Sequence, residues 1–201
     1  FEEVRGARSN VESVWDEIET YVMPLTGPKK SIRDEGEVTW KRPEVWDMTA
    51  IDGCQKLASN IHGSAMPSGV PWMKFAFLEP ALANDQEAKK YLDDLVDAVF
   101  MALQESDFDT EMQSALQEFV GAGNMVIVEE PLSATDEWKG FDFTAVPLRE
   151  SFFEPDSRGG VKAFYRLLQW TAPQIRDRFP NAELPQRIQA KLDTEAGITE
   201  K

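Results

Sequence analysis

The chain has 201 residues, of which 42% are hydrophobic and 28% charged, enough to bury a real core and ordinary for a folded protein. Its net charge of −15 argues against tight wrapping of nucleic acid, because phosphate contacts drive most of that affinity and an acidic surface repels the backbone. No segment approaches the roughly 18 to 20 consecutive apolar residues that would cross a bilayer, so no membrane partner is expected.

The opening does not read as a signal peptide, since no basic region leads into an apolar one. It begins with Phe1 and ends at Lys201 without a structural stop, which reads as a piece of a longer protein. In chain order, Val11, Val14, Trp15, Ile18 and Tyr21 recur at helical spacing, predicting a helix over 3–22 that Pro24, Gly27 and Pro28 end. Residues 27–43 read as a polar loop anchored by Val38 and Trp40. A second helix is predicted from near Pro43, burying Trp46, Ala50, Cys54, Leu57, Ala58 and Ile61, with Gly63 and Pro67 closing it. Residues 70–80 alternate loosely enough for one strand.

Asn84 followed by Glu87 has a capping-box pattern and predicts the start of a third helix carrying Leu92, Leu95, Val96, Val99 and Leu103. Ser106 and Asp107 interrupt it. A fourth helix follows with Phe108, Met112, Ala115, Leu116 and Phe119, and the two are expected to pack as a helical hairpin. Strands are predicted at 124–130, 141–148, 151–154 and 161–170, then a helix over 172–179 opened by Thr171, Pro173 and Gln174, and a weak helix over 185–196. The organisation is a mainly helical part over 1–123, a β-module over 124–170 and short helices over 171–201.

Catalytic vocabulary is thin. The single histidine, His62, would have to serve as the base of any Ser-His-Asp site, yet Ser64 and Ser68 sit too close on one turn for that geometry. It reads instead as a helix-terminal residue. Cys54, the one cysteine, cannot form an internal disulfide, suits a reducing cytoplasm and falls in an apolar stripe. Structural zinc needs four Cys or His ligands, and the chain has two such residues. Gly121 and Gly123 follow a helix where a phosphate loop would follow a strand. Asp93 and Asp97 share a helix face that reads as solvated, and the turn from Pro155 to Gly160 reads as a hairpin, not a calcium loop. No catalytic residue, metal or cofactor is assigned. Trp40 and Trp138, in polar loop sequence, are candidate interface anchors, with Arg42 and Arg149 expected to pair with the acidic face of an adjacent subunit.

Three blocks together resemble the N-terminal part of the podovirus head-to-tail connecting (portal) proteins. The first is Arg8, Trp15, Glu17, Ile18, Tyr21 and Pro24; the second is Asp47, Thr49, Ala50, Leu57, Ala58, Ser59, Pro67 and Trp72. The third comprises Gly121, Gly123, Glu129, Pro147, Leu148, Arg149, Glu150, Asp156, Gly160, Tyr165 and Arg166, finished by Thr171, Ala172, Gln174 and Phe179. Met73 and Phe75 depart from the Trp-Phe the family more often has after Trp72, and the turn carries an extra glycine.

The resemblance covers nearly the whole chain. It implies an α+β fold in which long amphipathic helices pack around a small antiparallel, barrel-like β-module, the wing of a portal. It further implies a non-enzymatic structural protein of the virion, assembled in the cytoplasm of a bacterial host. Such proteins form a closed homo-oligomeric ring, dodecameric in most members, at one capsid vertex. The implied partners are the packaging terminase, scaffold and capsid proteins and tail adaptor proteins. Double-stranded DNA would pass through the channel during packaging and ejection without tight binding. A different head or tail adaptor is the alternative within structural proteins. A carboxylate-dependent hydrolase, built on a close acid pair in a deep cleft, is the alternative from another class.

Overall fold

The computed structural model describes residues 2–23, 46–131, 140–168, 170–190 and 192. They fold as a mixture of helices and antiparallel strands, an α+β arrangement. The predicted polar loop lies outside the described residues. Two compact units are present: the described residues up to Arg166 hold most elements, and those from 167 onward form the second.

The first helix, α1, spans Glu2–Tyr21. Its inward face is rotated from the predicted one: Arg8, Trp15, Ile18 and Glu19 turn inward, whereas Val11, Val14 and Tyr21 are exposed. The contacts that half-buried Arg8 makes with the turn at Leu148–Glu150, described below, go with that rotation. The second helix, α2, spans Thr49–Ala65 and buries Ile51, Cys54 and Ala58. Its start is later than predicted because Asp47 accepts hydrogen bonds from the Thr49 N–H (2.9 Å) and hydroxyl (2.6 Å), turning the chain into the helix there. Trp46 consequently lies outside the helix and is 92% exposed, and Ala50 and Leu57 fall on the exposed side. Gly63 lies inside the helix, which ends at Ala65.

After a turn at 68–69, residues 71–77 form no strand, unlike the one predicted over 70–80, and a short helix, α3, follows at Pro80–Ala83. The next helix, α4 (Gln86–Glu105), is capped by Asp85, whose carboxylate accepts the Glu87 N–H at 3.2 Å; Asn84 instead ends α3. Val96 and Phe100 are its buried residues. After the break at Ser106 and Asp107, α5 spans Phe108–Ala122 and buries Phe108, Met112, Ala115 and Leu116, as the spacing predicted, while Phe119 is exposed. Although α5 touches α4, its main helical neighbour is α2. Ala58 of α2 packs into the cluster of Phe108, Met112 and Leu116, joined from the β side by Phe143. The Gln113 amide donates to Ser59 Oγ at 3.0 Å across the same seam.

Gly123 ends α5 with φ of 82°, and its N–H reaches Phe119 O at 2.9 Å. A left-handed residue here releases the chain from the helix, and glycine takes that conformation without a Cβ penalty. Strand β1 (Ile127–Pro131) pairs antiparallel with β2 (Phe141–Ala145), Glu129 opposite Phe143. A 3-10 turn at Leu148–Glu150 leads into β3 (Ser151–Pro155), which pairs antiparallel with β4 (Val161–Arg166), Phe153 opposite Phe164. The connecting turn is the expected hairpin: the Asp156 N–H donates to Gly160 O at 2.7 Å, and Gly159 adopts φ of 80°. Among the described residues the strands form two two-stranded sheets, and no ladder closes them into a barrel.

In the second unit, α6 spans Ala172–Arg178. The predicted capping box is present, with the Thr171 N–H donating to Gln174 Oε1 at 2.9 Å. A further helical stretch covers 186–190, within the predicted weak helix.

Candidate functional site

Helix α5 carries a row of acids on the side facing the chain that follows it. Asp107, Glu111 and Glu118 recur after one turn and then two more, which places them along one helix face. Each accepts a backbone N–H. Asp107 takes that of Phe143 at 3.0 Å, Glu111 that of Ala145 at 2.6 Å, and Glu118 that of Leu148 at 3.0 Å. Strand β2 therefore has β1 along one edge and the acids of α5 along the other. An edge whose N–H groups are already satisfied offers little to an extended segment of another chain.

The row ends where α1, α5 and the 3-10 turn meet. Arg8 reaches from α1 to the turn, and its Nη1 donates to Arg149 O at 2.7 Å, Ser151 O at 3.0 Å and Leu148 O at 3.3 Å. Glu12, one turn along α1, accepts from Arg8 Nη2 at 2.8 Å and Nε at 3.0 Å. The guanidinium also lies over the Phe152 ring, 3.9 Å from its centroid. Serine 151 is completely buried behind it, as is Phe152 apart from 1% of its surface.

Arg149 projects the opposite way and forms ion pairs with Asp16 and Glu19 of α1. Burial works against its charge, but the hydrogen bonds to Glu19 and Asp16 outweigh burial and hold its pKa above the usual arginine value. Arg166 of β4 pairs with Glu150 at 3.1 Å. Every cation at the junction thus has its own carboxylate. Among the described residues Glu118 has no paired cation: its carboxylate has the Leu148 N–H and lies in a small cleft lined by Trp15, Ile18, Glu19, Met23, Ala122 and Leu148. Burial, opposed by the Leu148 hydrogen bond and reinforced by the charges of Glu19 and Glu150, raises its pKa to about 7. The cleft has room for water but not for a substrate.

Of the residues singled out from the sequence, Arg149 is placed in this junction, bound by acids of its own chain. Trp40, Arg42 and Trp138 lie outside the described residues. His62 stands in the last turn of α2, with Nε2 buried, 3.4 Å from Asp109 Oδ1 and without a hydrogen-bond partner. Cys54 is buried, its Sγ 3.6 Å from Gln117 O, and burial pushes the thiol pKa up, away from the reactive thiolate. Asp93 and Asp97 are exposed on α4. Among the described residues no group of three or more His, Cys, Asp or Glu could hold a metal ion, and no helix is long and apolar enough to cross a membrane. Periodicity could not single out Arg8 and Glu118, because their partners lie about 140 and 30 positions away in the sequence. The one local hint was polar residues lying beside otherwise apolar faces.

A different surface is apolar and open. Val70, Trp72, Phe75 and Leu78, on the segment before α3, are all exposed, Leu78 completely. Trp72 stacks on Phe108, its ring centroid 6.2 Å away, which anchors the segment to the core while its neighbours point outward.

No curated protein sequence matches the chain. The family model described as bacteriophage head to tail connecting protein matches residues 1–200. The chain belongs to the bacteriophage head to tail connecting protein family, a family of structural virion components.

Proposed function

We propose that the chain is the wing part of a portal, a subunit of a homo-oligomeric ring at one capsid vertex through which double-stranded DNA is packaged and ejected. The observation that carries this reading is the family match over residues 1–200. In the same reading the two β-ladders belong to a barrel-like wing module, and the ring binds terminase, scaffold and capsid proteins and tail adaptors. A net charge of −15 supports passage of DNA without adhesion. The open apolar segment around Val70 and Leu78 supports burial against another chain.

Trp40, Arg42 and Trp138 are proposed contacts with the neighbouring subunit. Arg149, already bound by Asp16 and Glu19, would join them only by exchanging those acids for a neighbour's. A non-enzymatic role is part of the proposal. The water-sized cleft beside Glu118 gives the hydrolase alternative no substrate site at that carboxylate.

Light scattering and negative-stain imaging of the full-length protein test the proposal. Closed rings of about a dozen copies with a central hole are expected. Monomers at all concentrations, including in the presence of scaffold protein, would overturn the ring and favour an adaptor.

A further inference from the structure

The junction of α1, α5 and the 3-10 turn sets charge pairs around an apolar cleft of Trp15, Ile18, Met23, Ala122 and Leu148. The charged groups around it are Arg8, Glu12, Asp16 and Glu19 on α1, Arg149 and Glu150 in the turn, and Arg166 on β4. Arg149 is committed to Asp16 and Glu19, Arg166 to Glu150, and Arg8 to Glu12 and three carbonyls. Glu118 enters from α5 with a backbone N–H as its partner and, among the described residues, with no paired cation. An ionised carboxylate there is uncompensated among those residues, and it faces the like charges of Glu19 and Glu150. Two ways of relieving it exist: a proton on Glu118, or movement of the turn that admits water.

We propose that Glu118 is a proton-operated latch, holding the Leu148–Glu150 turn against α5 when protonated and loosening it when ionised. The hydrogen bond from Leu148 N–H needs only a carboxyl oxygen as acceptor, so protonation weakens it without breaking it, while leaving a neutral group in the apolar cleft and removing the repulsion from Glu19 and Glu150. Burial already raises the carboxyl pKa to about 7, so the two forms exchange near neutral pH and not in acid. Arg149 and Arg166 tie the turn through Asp16, Glu19 and Glu150, and Glu118, the acid in the apolar cleft, decides whether the turn stays docked.

Hydrogen exchange of the intact chain, corrected for the intrinsic pH dependence of exchange, tests this. Protection of the Leu148 amide and its neighbours in the turn is expected to fall about tenfold or more from pH 5.5 to 8.5. The Glu118→Gln variant, which keeps an acceptor oxygen but carries no charge, should hold its protection constant. Unchanging protection in the natural chain, or the same fall in the glutamine variant, would overturn the latch. Should that variant fail to fold, carboxyl NMR of the natural chain decides. A Glu118 midpoint near 7 supports the proposal, and one near the ordinary 4.5 rules it out.

Discussion

Arg8 and Phe152 lie face to face, the guanidinium carbon 3.9 Å from the ring centroid, although 144 positions separate them in the chain. The same guanidinium donates to the carbonyls of Leu148, Arg149 and Ser151. It therefore fixes the approach of α1 to β3 and donates to three carbonyls in and beside the 3-10 turn. Arg8→Ala should destabilise the chain by about 2–4 kcal/mol, because carbonyls lose their donors and the ring loses its cation. Arg8→Lys should recover less than half, since an ammonium cannot reproduce the planar fork. Urea unfolding of both variants checks this, and equal stability of the lysine variant and the natural chain would contradict it.

Glu118 predicts the sign of a pH dependence. Its carboxyl pKa is about 7 in the folded chain against an ordinary 4.5, so the folded state binds the proton more tightly. Its stabilising contribution is fully present below about pH 4.5 and is lost as pH rises through 7. Allowing for partial solvent screening, the difference amounts to about 1–2 kcal/mol. The natural chain should therefore weaken relative to Glu118→Gln between those pH values, measured as the gap between their urea midpoints. A gap independent of pH would refute the shift.

The acids along β2 predict a second consequence of charge. Glu111→Ala strips the acceptor from the Ala145 N–H, and Asp107→Ala does so for Phe143. Each change should cost about 1–3 kcal/mol and open part of the strand edge. Denaturant unfolding reads the first effect, and light scattering at rising concentration reads the second.

Two glycines at the end of α5 should respond differently. At Gly123, with φ of 82°, alanine forces a left-handed conformation and should cost about 1 kcal/mol, whereas asparagine should cost less. At Gly121 an added Cβ would lie 2.7 Å from Met23 Sδ, the movable end of a flexible side chain. Gly121→Ala should therefore shift stability by no more than about 1 kcal/mol, since helix propensity offsets the displacement of Met23. Thermal unfolding of the three variants separates the cases.

Cys54 offers a chemical check on the α2–α5 seam. With the thiol buried and its pKa raised, labelling by a disulfide reagent at neutral pH should be slow in the native chain and fast in urea. Fast native labelling would show that the seam opens readily.

Local chemistry made much of the molecule legible in its sequence. The stripe of Phe108, Met112, Ala115 and Leu116, the break at Ser106 and Asp107, the glycine stop, the hairpin after Pro155 and the Thr171–Gln174 cap all depend on neighbours within a few positions. The same order of blocks carried the family resemblance, which the match over residues 1–200 supports. Helix α2 shows where such reading fails: Trp46 continues the apolar pattern, yet the helix starts three residues beyond it, at Thr49, whose N–H Asp47 accepts.

What only the tertiary structure decided was the pairing of elements and the role of the charges. Periodicity identifies apolar faces but does not say which one another element covers, so α5 met α2 more than α4, and α1 turned Arg8 inward in place of Val11 and Val14. A carboxylate in a sequence reads as solvated until a distant backbone or charge is brought against it. Folding brought Glu118 to Leu148 and set Arg149 between Asp16 and Glu19, because buried N–H groups and charges need partners that their own neighbours could not supply.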